Sequence, residues 1–336
     1  MHEAMFYEKL EDKVVKCNLC PHRCRIDNFK RGICRVRENR DGTLYSLVYG
    51  RVISLAIDPI EKKPLYHFYP GSDALSLATV GCNFTCLHCQ NYQISQLPKE
   101  RGEIVGEEIS AEEIVSQAKL KNCQVIAYTY TEPTIFFEYA YDIARLAKEE
   151  GIKNVFVTNG YISEEALRKI NPYLDAANVD LKSFSEDFYR RICGAHLEPV
   201  LSSLKLMKEL GIWVEITTLI IPKLNDSEQE LRKIAEFIVS LGEETPWHIS
   251  RFYPAYKLNE VSATPASTLH RARQIGLEAG LRYVYTGNVP GDEGENTYCP
   301  NCSRVIIRRY GYQIEEFHIE NGRCRFCQTK IDGVIP

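Results

Sequence analysis

Between residues 75 and 290, short runs rich in β-branched and aromatic residues alternate with longer amphipathic patterns, and no other feature of this chain constrains its fold as strongly. This alternation is typical of β/α units, in which parallel strands form one sheet and the connecting helices cover it. We predict six such units and an additional strand at 283–286. The six predicted strands are 75–80, 124–130, 154–159, 176–183, 212–221 and 248–254.

Capping residues mark the starts of the helices between these strands. Ser110 followed by Glu113 forms a capping box ahead of an apolar run. Further starts are expected at Ser163, near Asp226 with Gln229 three residues later, and at Thr264-Pro265. Strands connected in this way form either a partial barrel or an open doubly wound sheet, and both place functional groups at the carboxyl ends of the strands.

Eleven of the thirteen cysteines fall into three groups, while Cys123 and Cys193 lie alone. No run approaches the ~20 apolar residues of a membrane span, and the polar amino terminus lacks a secretory signal, so we expect a cytoplasmic protein without a membrane partner. Thiols in that reducing compartment favour metal sites over disulfides. The groups are Cys17, Cys20, Cys24 and Cys34; Cys82, Cys86 and Cys89; and Cys299, Cys302, Cys324 and Cys327.

The middle group lies in the segment 81–91, GCNFTCLHCQN, directly after the first predicted strand. Three closely spaced thiolates can hold three irons of a cubane cluster and leave the fourth iron free to bind a small molecule. The alternative is a zinc ion whose fourth ligand is His88 or the distant Cys123. The choice of the cluster over zinc rests on a family resemblance that the spacing and the strand context carry.

The spacing Cys82-x3-Cys86-x2-Cys89 at this position resembles that of the radical S-adenosylmethionine (SAM) superfamily. The resemblance implies a partial (β/α)6 barrel, a [4Fe–4S] cluster held by the three cysteines, and SAM bound to the open iron through its amino and carboxylate groups. It also implies that an electron from a donor such as a ferredoxin or flavodoxin cleaves SAM to methionine and a 5′-deoxyadenosyl radical, which abstracts hydrogen from a substrate.

The segment 128–134, YTYTEPT, ends the second predicted strand and resembles the Gly-Gly-Glu-Pro segment that contacts the SAM amino group in the family. The resemblance assigns that contact to Glu132. Tyr130 and Thr131 stand in place of the glycines, so we expect a changed approach of the backbone to SAM. A carboxylate that stabilises a helix amino terminus is the structural alternative for Glu132.

Two further strand ends carry candidate SAM contacts. Thr158 and Asn159 resemble a turn that contacts ribose or carboxylate, although a plain strand-ending turn has the same composition. Asp180 and Lys182 project from the same face of the next strand end. In activating enzymes of glycyl radical proteins, an Asp-x-Lys here attends the SAM carboxylate, the lysine by its charge and the aspartate through a monovalent cation; a salt bridge is the structural alternative.

Four other residues at this side of the sheet are expected to have mainly structural roles. His248, Arg251 and Tyr253 lie on the sixth predicted strand, where contact with SAM or substrate is the less favoured interpretation. Cys193 is interpreted as a small buried side chain rather than as a donor of hydrogen or of a radical.

The outer groups each contain four cysteines. Cys299-x2-Cys302 and Cys324-x2-Cys327 flank the strand-like run VIIRRYGY, and four thiolates at this spacing suit a tetrahedral ion, giving a zinc ribbon or a rubredoxin-like iron site. The amino-terminal group is expected to bind zinc or an auxiliary iron–sulfur cluster through Cys17, Cys20, Cys24 and Cys34.

Motifs along nearly the whole chain resemble one group in the superfamily, the radical SAM enzymes of the AmmeMemoRadiSam system, which are related to pyruvate formate-lyase activating enzymes. The resemblance implies AMMECR-type and Memo-type partners. We expect a segment with four metal-binding cysteines at 1–74, a radical SAM core at 75–290 and a zinc-ribbon or rubredoxin-like module at 291–336. The motifs are CNLCPHRC, GCNFTCLHCQN, YTEPT, VTNG, VDLKS and NVPGDEGENTYCPNC.

Three functional hypotheses follow. The first is a radical SAM oxidoreductase that acts on an unidentified protein or small molecule, and the second narrows it to a glycyl radical enzyme activase. The third is a zinc–thiolate protein that binds nucleic acid, suggested by eight Lys and Arg residues between Lys16 and Arg40. This third hypothesis leaves Asp180, Lys182 and the β/α units without a purpose, so nucleic acid is not the expected partner.

Overall fold

A computed structural model describes residues 1–335, and its centre is an eight-stranded sheet. Seven strands are parallel and follow one another in chain order, while the first strand is antiparallel at one edge. This sequential order is that of a barrel, and because its two edge strands are not neighbours in the sheet the barrel is partial. The strands are β1 (Ser54–Pro59), β2 (Asp73–Ala78), β3 (Val125–Tyr128), β4 (Lys153–Thr158), β5 (Ala176–Asp180), β6 (Trp213–Ile220), β7 (Trp247–Arg251) and β8 (Val284–Gly287).

The fold predicted from the alternation is therefore confirmed, including the extra strand, which is β8. The edge strand β1 was not predicted. It is only partly buried, so it has neither the continuous apolar run of a central parallel strand nor a clear alternation. By contrast, all four residues of β3 are buried, as expected for a strand covered on both faces.

Helices cover the outer face of the sheet and begin close to the predicted caps. The capping box of Ser110 and Glu113 is present, and the Ser163 side chain accepts a hydrogen bond from the Ala166 amide. The helices are α1 (Ala111–Leu120), α2 (Phe137–Glu149), α3 (Glu164–Ile170), α4 (Glu198–Glu209), α5 (Glu228–Leu241) and α6 (Ala266–Glu278). None of the helices in residues 1–335 has the length and apolar composition that crossing a bilayer requires.

The start of α5 differs from the prediction by one residue. Ser227 is the cap, and its hydroxyl accepts from the Glu230 amide at 3.3 Å. Asp226 instead accepts from the Lys223 amide at 2.8 Å and closes the turn before the helix. Both residues are good caps, and the turn decides between them.

The amino-terminal residues form two small antiparallel sheets that pack against α2. Glu138 on α2 accepts from the Met5 amide at 2.7 Å and from the Arg37 guanidinium at 2.5 Å, with Arg37 and Glu138 both buried. The strands are His2–Glu3, Arg37–Arg40 and Thr43–Ser46 in one sheet and Tyr7–Lys9, Val15–Cys17 and Arg25–Ile26 in the other; Arg51–Val52 pairs with Glu107–Glu108.

The carboxy-terminal ribbon contacts both edges of the open sheet. Its buried Arg309 donates to the Tyr66 carbonyl at 3.1 Å, in the segment between β1 and β2, and to the Thr297 hydroxyl at 2.7 Å. Thr297 in turn hydrogen-bonds Tyr285 of β8 at 3.0 Å. The ribbon strands are Thr297–Tyr298, Val305–Tyr310 and Gln313–Phe317, with Ile319–Glu320 paired to Arg323–Cys324.

Candidate active site

A cavity of about 490 Å³ lies at the carboxyl ends of the parallel strands. Its volume falls in the range of small-molecule sites. The residues predicted for the catalytic cluster and for SAM all line this one cavity, so the structure brings together what the sequence spreads over a hundred positions. They are Cys82, Cys86, Cys89, Glu132, Thr158, Asn159, Asp180 and Lys182.

The cysteine loop follows β2 and is fixed at both ends. Gly81 has φ +104°, and a Cβ there would lie 2.6 Å from Val36 Cγ1, so only glycine fits. Farther along, the Thr85 amide donates to the Cys193 carbonyl at 2.8 Å. The short helices Tyr92–Ser95 and Leu97–Glu100 follow the loop, and Lys99 Nζ donates to the Phe84 carbonyl at 2.5 Å.

The three thiols of the loop are largely buried and accept few hydrogen bonds. The Phe84 amide lies 3.3 Å from Cys82 Sγ, and Ser95 Oγ lies 3.2 Å from Cys89 Sγ. Burial raises the pKa of Cys82 and Cys89, and a hydrogen bond with Cys193 followed by burial raises the pKa of Cys86. As free thiols they would stay protonated at neutral pH, whereas binding to a metal ion removes the proton.

Glu132 joins two strand ends beneath the cavity. Its Oε1 accepts from the Thr134 amide at 3.0 Å and from the hydroxyls of Thr134 and Thr158 at 2.7 Å each, and its Oε2 accepts from the Asn159 amide at 2.8 Å. Burial raises the pKa of this carboxyl despite these donors. Oε1 is fully used by the protein, so Oε2 is the atom with room for a further donor.

Asn159 directly follows β4 and links the end of this strand to the cysteine loop. Its Nδ2 donates to Asn83 Oδ1 at 2.8 Å and lies 3.8 Å from Cys82 Sγ, while its Oδ1 accepts from the Tyr161 amide at 2.9 Å. This segment therefore forms a strand-ending turn and also lines the cavity, so the two interpretations of its sequence are compatible.

Tyr130 occupies the position of a family glycine and keeps a glycine-like backbone, with φ +64°. Its carbonyl accepts from Asn91 Nδ2 at 2.8 Å, and its hydroxyl hydrogen-bonds Asp58. Lys63 Nζ lies 4.4 Å from the centre of the Tyr130 ring. The Tyr130 side chain builds one wall of the cavity together with Lys63.

Asp180 and Lys182 form an ion pair, with Lys182 Nζ 2.8 Å from Asp180 Oδ2. Although burial lowers it, Asp180 and the nearby thiols raise the pKa of Lys182 overall, so the ammonium stays charged. The cavity thus carries a partly buried cation beside the cysteine loop.

Sequence reasoning missed several residues that line the cavity. Lys62 and Lys63 come from the segment after β1, where each binds one oxygen of Asp58 at 2.7 Å. Tyr312 reaches the cavity from the ribbon. The run DPIEKKP concentrates charge next to proline and offered a signal, whereas nothing near Tyr312 in the sequence indicates this position.

The residues that we expected to have mainly structural roles do not line the cavity. His248 is buried and bonds Glu215 at 2.7 Å, and Arg251 donates to the Thr264 carbonyl at 2.7 Å. Cys193 ends a π-helical turn and is fully buried behind the cysteine loop. Cys123 precedes β3 at the amino-terminal end of the sheet, opposite the loop.

The ribbon cysteines form a compact set in which the four sulfurs lie within 4.8 Å of one another. Cys299 Sγ is 3.5 Å from Cys327 Sγ, and Cys302 Sγ is 3.8 Å from Cys324 Sγ. Four thiolates bound to one ion at ~2.3 Å in a tetrahedron have sulfurs ~3.8 Å apart. The set is therefore shaped for a single ion.

Comparisons with known proteins agree with this geometry. The model of the Radical SAM superfamily matches residues 76–238, which is slightly less than half of the chain. Over its full length it is similar to the uncharacterized protein MJ0808 of Methanocaldococcus jannaschii, with 53% identity and 100% of both chains covered.

More distant similarities cover parts of the chain, and the solved structure among them shows a likeness of fold. The pyruvate formate-lyase-activating enzyme of Clostridium pasteurianum is 27% identical over 190 residues, which cover 53% of this chain and 77% of that one. The crystal structure of Streptococcus suis SuiB bound to S-adenosylmethionine has a TM-score of 0.51 at 14% identity and covers 68% of this chain and 53% of that chain.

The residues of the cavity fit the cofactors that the superfamily implies. Three cysteines without a fourth suit a cluster with one open iron. Beside them the cavity offers a carboxylate oxygen of Glu132 for an ammonium and the Lys182 ammonium for a carboxylate. The imidazole Nδ1 of His88, also in the wall, is buried and has no hydrogen-bond partner within residues 1–335, so it too has a free position for a bound group.

Proposed function

We propose that the protein is a radical SAM enzyme that cleaves SAM reductively at a [4Fe–4S] cluster and abstracts hydrogen from a protein or small-molecule substrate. The observation that carries this proposal is a single cavity of about 490 Å³ lined by three cysteines of one loop and by charged groups of both signs. When bound, the cluster and SAM supply the radical chemistry, and the protein supplies binding and orientation.

The chain's own residues divide this work. Cys82, Cys86 and Cys89 hold the cluster, Glu132 accepts from the SAM ammonium, and Lys182 attracts its carboxylate. Thr158 positions Glu132 through its hydroxyl, and Asn159 ties this part of the wall to the loop through Asn83. Asp180 orients Lys182 at 2.8 Å.

The test is anaerobic reconstitution with iron and sulfide, followed by dithionite and SAM. Wild type is expected to form 5′-deoxyadenosine and methionine, and Cys86→Ala is expected to form neither. If fully iron-loaded wild type yields no 5′-deoxyadenosine, the proposal is wrong.

A second function, activation of a glycyl radical enzyme, is favoured by the similarity to the Clostridium pasteurianum activating enzyme. In that case hydrogen would be taken from a backbone glycine of a partner protein. Mixing the reduced enzyme and SAM with glycyl radical proteins of the same cell would then give a glycine-centred signal in electron paramagnetic resonance (EPR). Cleavage of SAM without this signal would leave the broader function and exclude the narrower one.

The motifs along the chain support a place in the AmmeMemoRadiSam system, with a ferredoxin or flavodoxin as electron donor and AMMECR-type and Memo-type partners. Co-purification of the tagged chain with these proteins tests the partners. A cytoplasmic location follows from this proposal. If neither partner binds and their addition leaves SAM cleavage unchanged, this assignment fails.

We also propose zinc at the ribbon. The sulfur separations of 3.5 and 3.8 Å support a single tetrahedral ion. Elemental analysis is expected to give about one zinc per chain after chelation of loose metal. Iron in its place would indicate the rubredoxin-like alternative. A zinc–thiolate protein that binds nucleic acid would hold zinc at all three groups and no iron.

A further inference from the structure

The amino-terminal cysteines surround one small cavity that the proposed function does not use. It is lined by Cys17, Cys20, Cys24 and Cys34, by apolar neighbours such as Ile26 and Ile135, and by Arg37 and Asn83. Cys17 and Cys34 are buried, and Cys20 and Cys24 are partly buried. Four thiols around one cavity indicate a metal site, and the question is which metal.

The separation of the sulfurs distinguishes a single ion from a cluster. In residues 1–335, the ribbon cysteines are the only set with three or more ligand atoms within 4.8 Å of one another. The amino-terminal cysteines are more widely spread, as are the three cysteines of the active-site loop. A single zinc ion draws its thiolates to ~3.8 Å, whereas a cluster binds them through different irons and keeps them farther apart.

Arg37 shows that the cavity has a place for negative charge. Its guanidinium is 1% exposed and donates through Nη2 to Glu138, but its Nε and Nη1 are buried without a partner in the part of the chain that the structure describes. Arg37 forms part of the wall around the thiols. Glu138 pairs with the charge of Arg37, but buried N–H groups without an acceptor are costly, and thiolates bound to metal can accept from them.

The cavity shares a wall with the active-site loop. The Cys34 carbonyl lies 3.5 Å from the Cβ position of Gly81, the residue before Cys82. Asn83, the residue after Cys82, lines the amino-terminal cavity, and its carbonyl lies 2.9 Å from His22 Nε2. Lys99 is within electrostatic reach of Cys34 on one side and of the loop cysteines on the other.

We propose that Cys17, Cys20, Cys24 and Cys34 hold an iron–sulfur cluster that passes electrons to the active-site cluster. The relay part rests on the proposed function; the cluster itself does not. In each transfer one electron leaves the amino-terminal cluster, whose iron is oxidised, and enters the active-site cluster, whose iron is reduced. No bond forms or breaks, and a ferredoxin-like or flavodoxin-like protein, or dithionite in the test, restores the electron.

The identity of the metal is tested in a Cys82/Cys86/Cys89 triple alanine variant, which cannot hold the active-site cluster. After anaerobic reconstitution it is expected to retain iron and sulfide in equal amounts, with an EPR signal that dithionite or oxidation reveals. Additional alanines at Cys17 and Cys20 should remove this iron. Cys299→Ala/Cys302→Ala is the matched control and should lose zinc but no iron.

The wild type gives a second measurement that does not depend on the folding of any variant. Its iron should clearly exceed the about four atoms per chain that a single [4Fe–4S] cluster contains, with zinc at about one per chain. Two zincs per chain in wild type, or a triple variant free of iron, would overturn the amino-terminal cluster.

The relay is tested by the proximity of the clusters. In reduced wild type, spin–spin interaction should broaden both EPR signals, and each signal should sharpen when the other cluster is removed. Simple addition of two unbroadened signals would overturn the relay. If the triple variant keeps its iron while wild type forms no 5′-deoxyadenosine, the proposed function fails and the amino-terminal cluster stands.

Discussion

The active-site loop and the ribbon both offer cysteine thiols as metal ligands, but the ribbon offers a complete set of four and the loop only three. The ribbon brings four sulfurs within 4.8 Å, so one ion can satisfy them all and close the site. The loop offers three, spread around a cavity that continues past Glu132 and Lys182. A closed site gives stability, whereas an open one keeps a position for a ligand. Under the proposed assignments, the number and spacing of the thiolates, rather than their presence, distinguish the structural site from the catalytic one.

The largest effect is expected from removing one cysteine ligand from the ribbon. Cys302→Ala removes one of four ligands, so the ribbon should lose zinc and several kcal/mol of local stability. Hydrogen exchange in Val305–Tyr310 should accelerate by roughly tenfold or more, while β3 stays protected. The iron of the loop should remain; its loss together with zinc would show that the two sites are not independent.

Gly81 sharpens the comparison because it fixes the open site without binding metal. Gly81→Ala adds a Cβ 2.6 Å from Val36 at φ +104°, so we expect a loss of about 2–4 kcal/mol in urea unfolding. Gly102→Ala is the matched control: its φ is +73° with no atom within 4 Å, so about 1 kcal/mol is expected. Val36→Ala should restore part of the loss. Equal costs at the two glycines would contradict the steric argument.

A substitution at Lys182 tests whether the positive charge in the active-site cavity contributes to SAM binding. Lys182→Met keeps the length but removes the cation, so SAM affinity should fall about tenfold, which is ~1.4 kcal/mol, with the iron content unchanged. Lys62→Met, half-exposed on the same wall, is the control and should change affinity less. Equal binding by wild type and Lys182→Met would remove Lys182 from the SAM site.

The smallest effect is expected from pH. Burial lowers the pKa of Lys63 to about 8, so its ammonium is present at pH 7 and is lost as the pH rises through 8. Since the charge lies in the cavity wall, SAM binding should weaken by a few-fold between pH 7 and pH 9. Lys63→Met should bind weakly at both values. Tighter binding of SAM by wild type at pH 9 than at pH 7 would contradict a favourable role of the Lys63 ammonium.

Much of the fold was accessible from the sequence because the signals were local. Continuous apolar strands such as β3 and the capping box at Ser110 depend on neighbouring residues only, and the structure confirms both. The partly exposed edge strand β1 carries no such pattern and was missed. The cap of α5 moved by one residue because a turn consumed Asp226.

The site was predictable where chemistry sits at a strand end. Lys182 follows β5 in this way, and its position in the cavity follows from the strand order. Tyr312 comes much later in the chain than any other wall residue, and it reaches the cavity because the ribbon docks on the barrel, in part through Arg309. Long-range docking of this kind leaves no periodic signal in the chain.

Arg309 also has a mechanical consequence. The strands β1 and β8 end the sheet, and Arg309 joins the segment after β1 to β8 through Tyr66 and Thr297. It thereby connects the two edges of the sheet across the gap where the partial barrel does not close. Because Tyr312 lies at the turn of the same hairpin, a displacement of the ribbon would move the cavity wall as well as the contact between the two edges of the sheet.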